Sequence, residues 1–557
     1  MAKNGAQILV DTLLEEGADT LFGYPGGSVL PLFDAFYGSP LKFFMTRHEQ
    51  GAAHAADGFA RATGKVGVCV ATSGPGATNL TTGIATANMD SIPMVAITGQ
   101  VKTNLIGNDA FQEADVTGIT RPITKHNYLV KDLAELARTI KEAFYIARTG
   151  RPGPVVIDLP VDVTQQIMEG EPDKELHLPG YKPRVEGHSR QIRLAAEAIN
   201  QSQRPILYVG GGCITSGATE ELRNAAETAN VPVVMTLMGL GAFPGDHPLA
   251  LGMLGMHGTP TANYAVMESD LIIAVGARFD DRVTGRLDTF APSAKVIHMD
   301  VDPASISKNV HVDIPVVGDA RHILAELLPL LQHRAREAWI AQIETWRKKH
   351  PITFDNGGDK IKPQAVIQEL CKMVPEDTII TTEVGQNQMW TCLWYCFRKP
   401  RTMISSGGLG TMGFGFPAAI GAQVGCPDRL VVDIAGDGSI QMNIQELATA
   451  VHYKLPVKVI ILNNGFLGMV RQWQELFYGR RYSQTSLAGN PDFVKVAEAY
   501  GATGLRLTDP KDIKDAIRKT IETPGTVFLD VHINPEENVF PMVPAGQAIN
   551  RMIGGMA

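Results

Sequence analysis

Short apolar runs rich in Val and Ile alternate along this chain with longer stretches in which apolar and polar residues mix at helical spacing. The runs include residues 65–72, 93–99, 154–160, 205–212, 270–278, 295–303, 377–385, 429–439, 457–464 and 526–533. Runs this apolar present no polar face to water. Each therefore predicts a strand covered by helices on both sides, as in the parallel sheets of α/β proteins. Most end in Gly, Asp, Thr or Asn, and open α/β sheets bind ligands outside the carboxyl ends of their strands. Two polar breaks divide the pattern. Residues 165–190 are rich in Pro, Gly and charge, and residues 333–362 form a charged helical stretch running into HPITFDNGGDKIK. The expectation is three doubly wound parallel-sheet α/β domains, over residues 1–180, 190–335 and 362–540. The Gly-, Pro- and Met-rich tail 541–557 reads as a flexible cover over a site. A faint internal repeat links the outer two domains: Gly74-Pro75-Gly76 precedes a strand opened by Pro93, as Gly436-Asp437-Gly438 precedes one opened by Pro456.

Bulk properties narrow the class. A chain of 557 residues suits about three or four domains. The net charge of −8, with no Lys/Arg-rich block, points away from a nucleic-acid partner. Residues 402–427 carry no charge, but their many glycines and polar Ser and Thr suit a buried turn leading into a helix better than a membrane span. The N-terminal stretch shows no long apolar core and no cleavage-site pattern, so no signal peptide is expected. The six cysteines are scattered, and Cys392 with Cys396 lacks a second pair to complete a zinc site. Sparse thiols suit a reducing, cytoplasmic location.

The strongest chemical signal is Gly436-Asp437-Gly438-Ser439 closing one run, with Asn463-Asn464 closing the next. In a βαβ unit both strand ends lie at one edge of the sheet, so Asp437 and Asn464 can converge. A carboxylate and an amide oxygen are hard ligands suited to Mg²⁺, which keeps other sites for phosphate oxygens. The glycines let backbone N–H groups approach a diphosphate, and a helix starting after Gly438 would add favourable potential. A tight turn with a capping Asp is the plainer alternative. Arg47-His48-Glu49-Gln50-Gly51 offers a carboxylate at a helix start, and its histidine spacing does not fit a zinc-binding HExxH. Gly408 to Gly413 formally match GxGxxG, with Asp433 twenty residues on, which leaves a dinucleotide site open.

Taken together, GDG…NN, RHEQGAAHAADGFARATG and GGLGTMGFGFPAAIGAQ resemble the thiamine-diphosphate enzymes. The resemblance implies metal ligation by Asp437, Asn464 and the carbonyl of Phe466. It gives Glu49 the task of activating the aminopyrimidine ring, and turns Gly410, Met412 and Met442 toward the cofactor. Gln386, Gly436, Gly438 and Ser439 would then contact the diphosphate, and the dinucleotide reading of 408–413 is set aside. Further segments, among them DAFQEADVTGI, VGARFDDRVTG and LGMVRQWQELFY, are similar to the acetohydroxyacid synthase (acetolactate synthase) catalytic subunits over nearly the whole chain. That likeness implies an FAD of no net redox part held by Arg151, Gly211, Gly212, His257, Gly276, Arg278, Asp300 and Asp319. It also implies a pocket for the second 2-keto acid built from Arg282 and Trp473, with Phe111 and Gln112 supplied by a partner copy. The implied reaction joins the two-carbon remnant of pyruvate to pyruvate or 2-ketobutyrate, on the route to branched-chain amino acids. A homodimer or homotetramer and a small regulatory subunit are expected, with no nucleic acid and no membrane. Taken alone, Arg282 could instead pair with Asp280 or Asp281, and Trp473 could simply pack on a helix face. Asn387 replaces the family's usual His and Glu383 its usual Asp, which puts the diphosphate loop contacts in question, and Lys102 stands where many members have Pro, in the loop where herbicides bind. A pyruvate-oxidase-type enzyme and a non-catalytic paralogue are the rival readings.

Overall fold

The computed structural model describes residues 2–554. It contains three six-stranded sheets, each wholly parallel, with helices on both faces, plus a small antiparallel pairing of Lys3–Asn4 with Ile167–Met168. In the first sheet the strands lie in the order Lys42–Met45, Thr20–Gly23, Gly67–Ala71, Met94–Gln100, Pro154–Pro160, His126–Leu129. Numbered along the chain, that order is 2-1-3-4-6-5. The third sheet repeats it: Met403–Ile404, Ile379–Thr382, Val431–Gly436, Lys458–Asn463, Val527–His532, Thr503–Leu507. The faint repeat in the sequence is thus matched by a shared topology. The middle sheet runs Ala250–Met253, Val233–Met235, Pro205–Val209, Leu271–Val275, Lys295–Asp300, Ile314–Val317, the 3-2-1-4-5-6 order of dinucleotide-binding folds.

Burial explains the runs. Every residue of Gly67–Ala71, Met94–Gln100, Pro154–Pro160, Pro205–Val209 and Leu271–Val275 is buried. The covering helices show one apolar stripe each. Leu136–Arg148 buries Leu136, Ile140, Ala143, Phe144 and Ala147, spaced to share a face.

The outer domains meet through two helices made of small residues, Glu49–Thr63 and Gly415–Gly425. Gly58 lies against Ala418 and Gly421 against Ala55, and a Cβ on either glycine would overlap the facing carbonyl oxygen. Glycine at both crossings lets the backbones touch.

Two expectations need correction. The described part of the tail, as far as Gly554, is tied down rather than loose. Met542 pairs with Ile553 and Ala548 with Gly285, Val543 N–H donates to Met256 O at 2.7 Å, and Ile549 is buried. Nor does an α-helix start directly after Gly438. Two single 3-10 turns, Ile440–Met442 and Ile444–Glu446, come first, and the α-helix Leu447–His452 follows. Asn443, between the turns, spends its side-chain amide on Gly413 O at 2.7 Å and has φ of −134°. Among the described residues, no helix is long and apolar enough to cross a membrane. Residues 402–427 instead form a short strand, a glycine turn and the buried helix Gly415–Gly425.

Candidate active site

The third sheet reverses strand order between Ile379–Thr382 and Val431–Gly436, where open α/β sheets form their ligand crevice. Asp437 follows the second of these strands and is 1% exposed. Its Oδ2 accepts from Asn490 Nδ2 at 2.6 Å and from the backbone N–H of Gly465 at 3.1 Å. The GDG turn and the NN turn therefore do meet. Burial raises the Asp437 carboxyl from 3.8 to about 6, and the hydrogen bonds from Asn490, Asn464 and Gly465 only partly oppose it. Among the described residues no cationic side chain pairs with it.

Asn464 is oriented by a chain of amides. Its Nδ2 donates to Gln386 Oε1 at 3.1 Å. Gln386 Nε2 in turn donates to Gln472 Oε1 at 2.9 Å and Glu537 O at 3.1 Å. Asn464 Oδ1 is left facing the Phe466 N–H at 3.0 Å, on the side of the Asp437 turn. Gln386 thus has both ends engaged within the protein. Asn387 is buried and donates to Glu383 O at 3.0 Å and Ile434 O at 2.8 Å, tying the two switch-point strands together. Its Oδ1 lies beside Gly436.

Glu383 is fully buried and works on the glycine turn. Its carboxylate accepts from Gly413 N–H at 2.7 Å and from Phe416 N–H at 3.1 Å, capping the helix Gly415–Gly425. Burial pushes its carboxyl up to about 7. Asp433, in mid-strand beside it and bonded to Thr381 Oγ1, is raised by burial and then by the Glu383 charge. That placement leaves Asp433 no route to a ribose at the turn. Gly410 and Gly413 have φ of +70° and +84°, and Met412 approaches Gly438. Gly410 and Met442 are exposed in the single chain, whereas Ser439 is buried with its Oγ on Gly436 O at 3.3 Å.

Glu49 opens the helix Glu49–Thr63, and Asn79 Nδ2 donates to its Oε2 at 2.9 Å. Among the described residues of one chain, Glu49 and Asp437 share no hydrogen-bonding partner. Glu49's immediate neighbours in sequence bind elsewhere: the Arg47 and His48 N–H groups donate to Glu446 at 3.0 and 2.9 Å. Phe111 is 88% exposed, and Gln112 has φ of +58°, its backbone packed on Gly74. Glu113 pins this loop by accepting from the Gly107 and Ala110 N–H groups.

One large cavity, of about 670 Å³, lies where the three domains meet. Arg151, Gly211, Gly212, His257, Gly276, Arg278, Asp300 and Asp319 all line it, as do Arg282, Trp473 and Gly410. Gly210–Gly212 and Gly276 stand at the switch point of the middle sheet, and a Cβ on Gly212 would come within 2.8 Å of Gly276 Cα. Arg151 Nε donates to Ser91 Oγ at 2.8 Å. His257 Nδ1 lies 3.2 Å from Pro541 O, and burial lowers its ring to about 4, so it is neutral at ordinary pH. Asp319 caps the helix Ala320–Leu327, and Asp300 Oδ1 accepts from Asp302 N–H at 2.8 Å. Arg282 is 61% exposed with only a long 3.9 Å contact to Asp281, and half-buried Trp473 sits on the helix Gly468–Phe477.

Asn490, Asn443, Asn79, Gln472 and the capping role of Glu383 were not singled out from the sequence. Asn79 lies three residues beyond the Gly74-Pro75-Gly76 turn, where that motif could have flagged it. Asn490 lies in a loop with no pattern of its own and reaches Asp437 only through space.

Comparison with known proteins matches all three regions to thiamine pyrophosphate enzymes. Residues 3–119 match the N-terminal TPP binding domain, 192–327 the central domain, and 383–531 the C-terminal TPP binding domain. The chain is 52% identical to a probable acetolactate synthase large subunit of Methanocaldococcus jannaschii, over 99% of this chain and 95% of that one. It is 48% identical to the acetolactate synthase isozyme 3 large subunit of Escherichia coli, over 99% and 98%. It is also 48% identical to the acetolactate synthase large subunit of Haemophilus influenzae, over 99% and 98%.

Proposed function

This chain belongs to the acetolactate synthase large-subunit family of thiamine-diphosphate enzymes, and on that premise we propose which of its residues carry the reaction and which further ligands it takes. Pyruvate is decarboxylated, and its two-carbon remnant is joined to pyruvate or 2-ketobutyrate, giving 2-acetolactate or 2-aceto-2-hydroxybutyrate. The observation that carries the residue assignment is the single cavity shared by the eight flavin-type residues, the Gly410 turn, Arg282 and Trp473.

The donor set suits the groups it would hold. Asp437 is a buried carboxylate raised by desolvation and, among the described residues, paired with no cationic side chain, so a bound divalent cation would offset its charge. Asp437, Asn464 Oδ1 and the Phe466 carbonyl are oxygen ligands of the kind Mg²⁺ prefers, and Gln386 fixes the direction of the Asn464 amide. The glycine-lined switch point of the middle sheet and a cavity of about 670 Å³ suit FAD, with a neutral His257 and the cationic Arg151 and Arg278 on its walls. When bound, thiamine diphosphate supplies the carbanion and the electron sink.

The chain's own residues bind, orient and move protons. Glu49, steadied by Asn79, would be the carboxyl group that exchanges a proton with the aminopyrimidine of a bound cofactor. The Arg282 guanidinium grips the carboxylate of the acceptor keto acid in two-pronged fashion. Trp473 gives its alkyl group a flat apolar wall. Glu49 and Asp437 belong to different domains and Phe111 is exposed, which supports a site completed by two copies, as a homodimer or a homotetramer. A small regulatory subunit and a cytoplasmic location belong to the same reading.

Incubation of the purified protein with pyruvate, thiamine diphosphate, Mg²⁺ and FAD should yield acetolactate. Pyruvate loss without acetolactate would move the assignment to a decarboxylase or oxidase. No turnover with or without a regulatory subunit would leave a non-catalytic role.

A further inference from the structure

A buried ion cluster joins the first domain to the glycine turn of the third, and the reaction as described makes no use of it. Asp57 and Asp90 have fully buried side chains, and Arg61 between them is 6% exposed. Arg61 donates through Nε to Asp57 at 2.5 Å, through Nη2 to Asp90 at 2.8 Å and through Nη1 to Ser405 O at 2.8 Å. Its guanidinium also lies over the Phe414 ring, 5.1 Å from the centroid. Asp90 crosses to the turn itself. Its Oδ1 accepts from Gly408 N–H at 2.7 Å and its Oδ2 from Gly407 N–H at 3.2 Å. One turn of helix earlier, the Thr86 hydroxyl meets the Thr411 hydroxyl at 2.7 Å.

Two carboxylates and one guanidinium leave an excess negative charge among buried side chains, and the two N–H groups of the turn answer it. Residues on both flanks, Ser405 to Gly408 and Phe414, are thus held from the first domain. The tip, Leu409 and Gly410, is exposed within the single chain. A buried ion cluster is weak evidence for stability, because well-packed apolar residues often do as well. What it adds is direction, since each charged partner accepts only one arrangement.

We propose that Asp90, held in place by Arg61, is a positioning residue that sets the cofactor-facing turn 407–413 from the neighbouring domain, while Asp57 completes the charge balance of the cluster without reaching the turn. The proposal rests on the reading that this turn receives thiamine diphosphate. Displacing such a turn by about 1 Å is enough to cost roughly 10²-fold in rate.

The test uses the full-length protein with Mg²⁺. It measures thiamine diphosphate affinity by calorimetry and the denaturation midpoint for wild type, Asp90→Asn, Asp57→Asn and Gly408→Ala. A Cβ on Gly408 would meet Asp90 Oδ1 at 2.7 Å and Met89 Cγ at 2.5 Å, so this variant pushes the turn off the aspartate without removing a charge. Asp90→Asn and Gly408→Ala should each weaken cofactor binding by about tenfold or more, the worth of a charge-assisted hydrogen bond. Asp57 makes no hydrogen bond to the turn. Asp57→Asn should lower the midpoint comparably yet weaken binding by less than about threefold. Wild-type affinity in both turn-directed variants would overturn the proposal, as would losses that simply follow the midpoint in all three. If Asp90→Asn does not fold, Gly408→Ala decides alone. A wild-type chain that binds no thiamine diphosphate would instead overturn the cofactor reading beneath it.

Discussion

Replacing Asp437 with asparagine should make the metal-free protein more stable while abolishing its activity. The carboxyl is 1% exposed, and burial raises it from 3.8 to about 6. That difference is worth about 3 kcal/mol once both folded and unfolded forms are ionised. The sign follows from proton counting. Between pH 3.8 and about 6 the folded chain binds the proton more tightly than the unfolded chain, so stability falls as pH rises through that window. Above it the whole penalty is present, and below pH 3.8 none is. Asparagine can keep the bonds from Asn490 and Gly465, because both go to one oxygen, Oδ2. The charge is lost, and an amide nitrogen takes the place of the other oxygen. Urea denaturation of the metal-free proteins should show Asp437→Asn ahead by about 3 kcal/mol at pH 7.5, shrinking to about half that at pH 5. Mg²⁺ with the diphosphate cofactor should stabilise wild type and leave the variant unmoved. A variant less stable than wild type at pH 7.5, or an advantage that is the same at both pH values, refutes the reasoning.

Glu49→Gln should reduce kcat by about 10²–10⁴-fold. Its fold should survive, since a glutamine oxygen still accepts from Asn79; steady-state kinetics beside circular dichroism checks both halves. Gly421→Ala drives a methyl group into the Ala55 carbonyl at the helix crossing and should cost about 1–3 kcal/mol in denaturation experiments. Arg282→Ala should raise the concentration of acceptor keto acid needed for half-saturation by about tenfold or more, while pyruvate decarboxylation persists; product analysis against 2-ketobutyrate concentration tests it. Burial holds His257 neutral until about pH 4, so its protonation should not change FAD affinity between pH 6 and 8. A His257→Gln variant whose affinity profile differs from wild type in that range would contradict this.

How far the site was legible depended on whether its residues act alone or through neighbours. Asp437 and Asn464 could be paired from sequence, because two successive parallel strands end at one sheet edge whatever else the chain does. The middle domain's glycines and carboxylates could likewise be placed at strand ends. Glu383 could not: its departure from the family pattern put a cofactor contact in question, and the structure instead turns its carboxylate back to cap a helix. The helix expected after Gly438 failed because Asn443 binds a carbonyl in another segment, a competition invisible to local pattern. The tail looked mobile by composition, yet long-range bonds to Met256 and Gly285 hold it.

The apolar runs 154–160 and 271–275 announce themselves as strands because a central strand is buried on both faces, and only apolar residues tolerate that. The edge strands Lys42–Met45, His126–Leu129 and Thr503–Leu507 are half-exposed and mixed in character, so partner and position decided them. Sequence alone determined the central strands, the helical stripes between them and the glycine turns at their ends, since these follow from local periodicity and backbone freedom. Strand order, the meeting of three domains around one cavity and the reach of Asp90 to the turn belong to the tertiary structure. Each depends on contacts between residues far apart in the chain, which no local pattern encodes.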